Sequence, residues 1–243
     1  THAVSLTASS GDVTIGAIVA DDVLGVTATA GSINDAADNN TVDFTAGGLI
    51  TLTAQDEIGV LGSGTDTDLE FAAGSSVNVS STSAGNIGLD GLGALTLSDV
   101  DTVDGAITVT AAGNLVATAV DAADAGSDAT HAVSLTASSG DVTIGAITSD
   151  STLTVIATAG SINDANDDTT TDLTSTTNAI VLTAQDEIGG NAATMSTDTA
   201  GAIEVAAAST LDVSSTTAGN IVLSGAGALT LSDVDTVDGA ITV

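Results

Sequence analysis

Residues 93–109 read GALTLSDVDTVDGAITV, and the same string returns at 227–243. It holds two apolar–polar–apolar triplets, Leu95-Thr96-Leu97 and Ile107-Thr108-Val109, with an aspartate-rich segment between them. Strict alternation over so few residues is the mark of a short strand with one buried face. The same triplet recurs along the chain as Val4-Ser5-Leu6, Val13-Thr14-Ile15, Ile50-Thr51-Leu52 and Val77-Asn78-Val79, each next to glycine or small turn residues. One series of strand starts runs Val4, Leu24, Phe44, Ile58, Val77, Leu95, Leu115, Val133, and a second lies half a step away at Val13, Ile33, Ile50, Leu69, Ile87, Ile107. The spacing predicts coils of about 18–20 residues.

A longer repeat contains these strands. THAVSLTASSGDVTIGAI occupies 1–18 and 130–147, TAGSINDA 29–36 and 158–165, and LTAQDEIG 52–59 and 182–189. The chain therefore divides into a first copy, 1–129, and an incomplete second copy, 130–243, read as one continuous solenoid cut from a longer array. Copy two gains five residues, four of them in the polar segment where VLGSGTDTD becomes GNAATMSTDTAGA, as a surface loop tolerates.

Short strands at this spacing fit either a string of sandwich domains or a parallel β-solenoid. A sandwich fills its core with bulky residues, often a buried Trp or a corner Tyr. This chain of 243 residues has no Trp, Tyr, Pro or Cys, and only two Phe, at 44 and 71. In a solenoid each coil stacks on its equal, so small aliphatics suffice and strand N–H and C=O groups pair with the coils above and below. The expected fold is all-β, a parallel β-solenoid with about seven coils per long repeat, or roughly 34 Å of axial rise.

The strings GDVTIGAI, TATAGSINDA, LTAQDEIG and LSDVDTVDGAITV resemble the β-strand repeats of giant bacterial surface proteins of the filamentous-haemagglutinin adhesin type. The resemblance covers the whole chain. It implies a right-handed β-helical, elongated shaft, secreted or at the cell surface, with no catalytic residues to carry over.

Charge narrows the partners. With no Lys or Arg and 32 acidic residues, the formal charge is -32. Nucleic acid and anionic membrane need protein cations, so neither is expected as a direct partner. Divalent cations, and like shafts associating laterally or end to end, are the partners that remain. Mean hydropathy is positive, against the composition of a disordered chain.

The aspartate segment poses the one metal question. Counted from Asp99 as an EF-type loop, Asp101 takes position 3, but Val103 stands at 5, Asp104 at 6, Gly105 at 7 and Thr110 at 12. The glycine is off by one and the bidentate acid is missing, so a calcium hand is excluded. An aspartate-rich turn before Ile107 is the simpler reading. A twenty-residue step, however, places Asp121 over Asp101 and Asp124 over Asp104, which would offer oxygens to Ca²⁺ between coils. Asp233, Asp235 and Asp238 repeat the first three acids in copy two. These eight are the candidate Ca²⁺ ligands, and no cofactor is required by anything else in the chain.

The remaining polar features are weaker. His2 and His131 are equivalent and are expected at the surface or in a turn. Asp56-Glu57 and Asp186-Glu187 would point to opposite faces of a strand and read as solvated turns. Thr and Ser crowd the outward places, which is either β propensity on a wet face or an ice- or glycan-binding ladder. A lyase for acidic sugars needs cations and commonly a basic residue, and exact repetition disfavours a singular active site, so no enzyme is expected. The function expected is a structural shaft, with a Ca²⁺-dependent adhesion module or an ice-binding face as alternatives.

Overall fold

The computed structural model describes residues 2–37, 39–59, 68–123, 131–166, 169–190, 201–207 and 209–243. The segment ITVTA, strand Ile107–Ala111, shows the local rule: Ile107, Val109 and Ala111 are buried, while Thr108 and Thr110 lie half-exposed between them. The pleat turns successive side chains to opposite faces, so one face packs inward and the other meets water. Every pairing between strands of the described residues is parallel, and the strands form sheets of twelve, ten and two members. On the ten-stranded sheet Ile87, Ile107, Val133, Leu153, Ile180, Leu211 and Leu231 stack in register as one apolar column. This is a parallel β-solenoid.

The register departs from the even spacing. Val4 stacks on Leu24, twenty residues on, but Leu24 stacks on Ile50 and Ile50 on Val77, steps of 26 and 27. Phe44 does not continue the Val4–Leu24 column; it lies on the other sheet, between Ile18 and Phe71. The chain between strands Ile33–Asp35 and Phe44–Ala46 leaves the ladder and lengthens the Leu24–Ile50 coil without adding a rung; the longer Ile50–Val77 step contains 60–67, outside the described residues. From one paired strand to the next the chain thus takes 20 to 32 residues, not 18 to 20.

Six coils carry the column from Val4 through Leu24, Ile50, Val77, Leu97 and Ala117 to Ile144. Ile144 is the counterpart of Ile15, whereas Val133, the counterpart of Val4, lies on the opposite sheet. Val133 falls between the fifth step, at Ala117, and the sixth, at Ile144, so a long repeat advances five and a half coils rather than about seven, roughly 26 Å at the usual strand spacing. Equivalent strands face opposite ways: Ile50–Ala54 and Ser75–Ser81 belong to the twelve-stranded sheet, and their counterparts Ala179–Ala184 and Thr210–Ser215 to the ten-stranded one.

Of the twelve apolar residues in the six triplets, Ile15, Ile50, Leu52, Val77, Val79, Leu95, Leu97, Ile107 and Val109 are buried. Val4 and Val13 are half-buried and Leu6 is 40% exposed, because their coil has no neighbour beneath it in this chain. Their counterparts Val133, Leu135 and Val142 are all buried. The two phenylalanines stack with ring centroids 5.2 Å apart, and Leu173 paired with Val205 fills the same place in copy two.

Candidate functional site

The segment SDVDTVDG is strand for most of its length. Strand Leu95–Thr102 includes Asp99 and Asp101, so the turn before Ile107 is confined to 103–106 and holds only Asp104 of the three aspartates. A register shift between Leu97 and Asp99 inserts one residue relative to the strand below, so Leu97 and Val100 both face inward. The Thr102 hydroxyl donates to the Gly85 carbonyl at 2.7 Å, and Thr236 repeats this on Gly219. A Cβ on Gly105 would lie 2.2 Å from the Gly85 oxygen, so only glycine lets the stacked turns approach this closely. The motif is thus fixed in large part by turn stacking.

Its aspartates fall into different surroundings. Asp101 and Asp121 are register partners on adjacent strands, as the twenty-residue step predicts, and the Ser80 hydroxyl donates to Asp101 at 3.0 Å. Burial, and then the charges of Asp99 and Asp121, raise the Asp101 carboxyl above its usual range, against the Ser80 hydrogen bond. Asp99 lies opposite Asn78 and is exposed. Asp121 accepts from the Ala123 N–H at 2.9 Å, a local turn contact. Asp124 lies outside the described residues. In copy two, Asp233 pairs with Asp212 and Asp235 with Ser214, while Asp238 is exposed in the turn. Asp104 is taken by an imidazole: its Oδ1 lies 2.6 Å from His131 Nε2.

Two further acidic groups come from residues the spacing did not single out. Asp35 ends one short strand, Asp43 precedes the next, and together they bracket the excursion at 36–42. Glu70, at the centre of strand Leu69–Phe71 on the following coil, meets them. The three offer carboxylate oxygens within 4.8 Å of one another, and Asp164, Asp172 and Glu204 repeat the arrangement. Backbone bonds hold it: Glu70 N–H donates to Asp43 Oδ2 at 3.2 Å and Asp43 N–H to the Glu70 carbonyl at 3.0 Å. Asp43 is 1% exposed and Glu70 0%. Burial pushes the Asp43 carboxyl up to about 6; hydrogen bonds with Glu70 oppose the rise and Asp35 adds to it. An all-oxygen donor set of this kind suits a hard cation such as Ca²⁺, and these six are the residues that could hold one. The signal in the sequence was a glutamate at a strand centre between apolar neighbours, LEF in copy one and IEV in copy two.

His131 is also not where the sequence reading placed it. It is 3% exposed, with Nδ1 2.9 Å from Asp150 Oδ2 and Nε2 on Asp104. Burial alone would lower its pKa, but the hydrogen bonds to Asp150 and Asp104, with their charges, raise it above 6.5. His2 keeps the surface position expected of both, 2.8 Å from Asp21. Asp56 and Asp186 lie in turns, and their carbonyls accept from the Ser81 and Ser215 hydroxyls on the coil above. No protein-family model, curated protein or solved structure matches the chain.

Proposed function

We propose that this chain is a stretch of the rigid shaft of a secreted or cell-surface repeat protein, an adhesin or matrix component, which holds a binding region away from the cell. The observation that carries this reading is the copy boundary, which the sheets cross unbroken. Strand Ile107–Ala111 pairs with Val133–Ala137 over five residues, and Leu115–Asp121 pairs with Val142–Ser149. Bending such a shaft stretches inter-coil hydrogen bonds on one side and compresses packed side chains on the other, and both are costly. Since each coil contacts only its neighbours, length grows by adding copies without any change in local structure. The acidic surface keeps shafts soluble and apart, and divalent cations would screen that repulsion.

Electron microscopy of chains of two, four and six long repeats tests the mechanical part. Rods of constant width should lengthen by roughly 26 Å per added copy. Particles that fold back at each boundary would overturn it. Binding tests separate the shaft from a module that recognises a ligand itself: the isolated chain should bind neither cells nor a glycan array, with or without Ca²⁺. Ca²⁺-dependent glycan binding by the isolated chain would replace the shaft reading with direct adhesion.

A further inference from the structure

The His131 site is assembled from two copies. Asp104 belongs to the first long repeat, at the turn before strand Ile107–Ala111. His131 and Asp150 belong to the second, before strand Val133–Ala137 and after strand Val142–Ser149. Asp150 is bound to the histidine twice, accepting from the His131 backbone N–H at 3.2 Å and from the ring at 2.9 Å. The Ser149 hydroxyl donates to the His131 carbonyl at 2.7 Å. The far ring nitrogen reaches back across the copy boundary to Asp104.

A neutral imidazole has one N–H donor and one acceptor nitrogen, and ionised carboxylates only accept. Two carboxylate partners thus call for a proton on each ring nitrogen. We propose that an imidazolium at His131 clasps consecutive long repeats together, forming a proton-dependent lock that recurs wherever one copy follows another. The two halves appear apart elsewhere in the chain. His2 on Asp21 reproduces the contact between His131 and Asp150, exposed and with no preceding copy in this chain to supply the third group. Asp238 reproduces Asp104, exposed in its turn. The imidazole is the one kind of cationic side chain available, since Lys and Arg are absent. The acids acting on it from the packed elements are Asp104 and Asp150; Asp124 and Asp128 precede it in the segment outside the described residues.

The sign follows from the raised pKa. The clasp is complete below 6.5, the imidazole's ordinary value, and opens as pH rises through the higher folded value. The test is an NMR titration of the His131 ring in the intact chain, with urea melts at pH 6 and 9. His131 should titrate above 6.5, and Asp104→Asn should lower that midpoint while leaving His2 unchanged. The wild-type urea midpoint should fall between pH 6 and 9 by more than that of His131→Gln. Should His131→Gln not fold, Asp104→Asn, altered at an exposed side chain, should show the same reduced pH dependence. A His131 midpoint at or below 6.5, or one insensitive to Asp104→Asn, overturns the clasp.

Discussion

Replacing Asp43 by asparagine tests whether the loop-base acids are a burden the fold carries. Asp43 is almost fully buried, and its pKa is pushed from 3.8 to about 6. A raised carboxyl pKa means that the folded chain holds the proton more tightly than the unfolded chain. The associated stabilisation is full below 3.8 and is lost as pH rises through about 6. At about 1.4 kcal/mol per pH unit, ionised Asp43 costs roughly 3 kcal/mol at pH 7.5, and roughly half of that is recovered by pH 5. Asparagine keeps a carbonyl oxygen to accept the Glu70 N–H and adds a donor toward the neighbouring carboxylates. Asp43→Asn should therefore be more stable than wild type at pH 7.5, by up to that amount, and its advantage should shrink by about half at pH 5. The assay is urea unfolding followed by circular dichroism, in EDTA, comparing midpoints of the two proteins at each pH. An advantage that does not change with pH, or a variant less stable at pH 7.5, would show that the buried charge is not a burden to the fold. Repeating the pair in Ca²⁺ at matched ionic strength shows whether a cation removes the same cost.

Gly105→Ala should destabilise the chain by about 1–3 kcal/mol, because its Cβ meets a backbone oxygen that cannot swing aside, whereas Gly25→Ala, with open space around it, should be near neutral by the same melts. Leu135→Ala should cost about 2–5 kcal/mol and Leu6→Ala distinctly less, although both occupy the same place in VSLTA; equal losses would contradict the end-coil explanation of Leu6's exposure. Ca²⁺ and Mg²⁺ at matched ionic strength should raise the melting temperatures of wild type and Asp101→Asn alike, as screening cations. A rise specific to Ca²⁺ and lost in Asp101→Asn would instead make the Asp101–Asp121 ladder a ligand pair.

The parallel stack and its inward residues were legible because they rest on local alternation, which a sequence displays directly. The step from Asp101 to Asp121 was legible for the same reason, since the coil between them contains no excursion. Register failed at Phe44. An apolar residue happened to fall twenty places after Leu24, and spacing alone cannot tell a rung from a residue that resumes the other sheet after a loop. The loop-base acids were hidden by the same excursion, which separates Asp35 from Asp43 in sequence and returns them to one point in space. His131 was misplaced because its partner Asp104 lies 27 residues back, and the intervening coil is lengthened to 26 residues between Ile107 and Val133. In each case the missing information was the length of chain that leaves the sheet and comes back.

The half coil in five and a half decides on which face each repeated feature falls. In the first copy the chain leaves the ladder between strands Ile33–Asp35 and Phe44–Ala46. If a long repeat advanced by a whole number of coils, every copy would place its counterpart on the same face of the solenoid. With the extra half turn, the counterpart excursion at 165–172 arises on the opposite sheet, between strands Ile162–Asp164 and Leu173–Ser175. Copies that share nearly identical sequence thus present this feature on alternate faces of the solenoid. The same half turn sends successive acidic loop bases to opposite flanks. Along any one flank they recur only every second copy, roughly 53 Å apart at the usual strand spacing. That is many times the screening length of about 8 Å at physiological salt, so a shaft of any length carries these charges without their repelling one another.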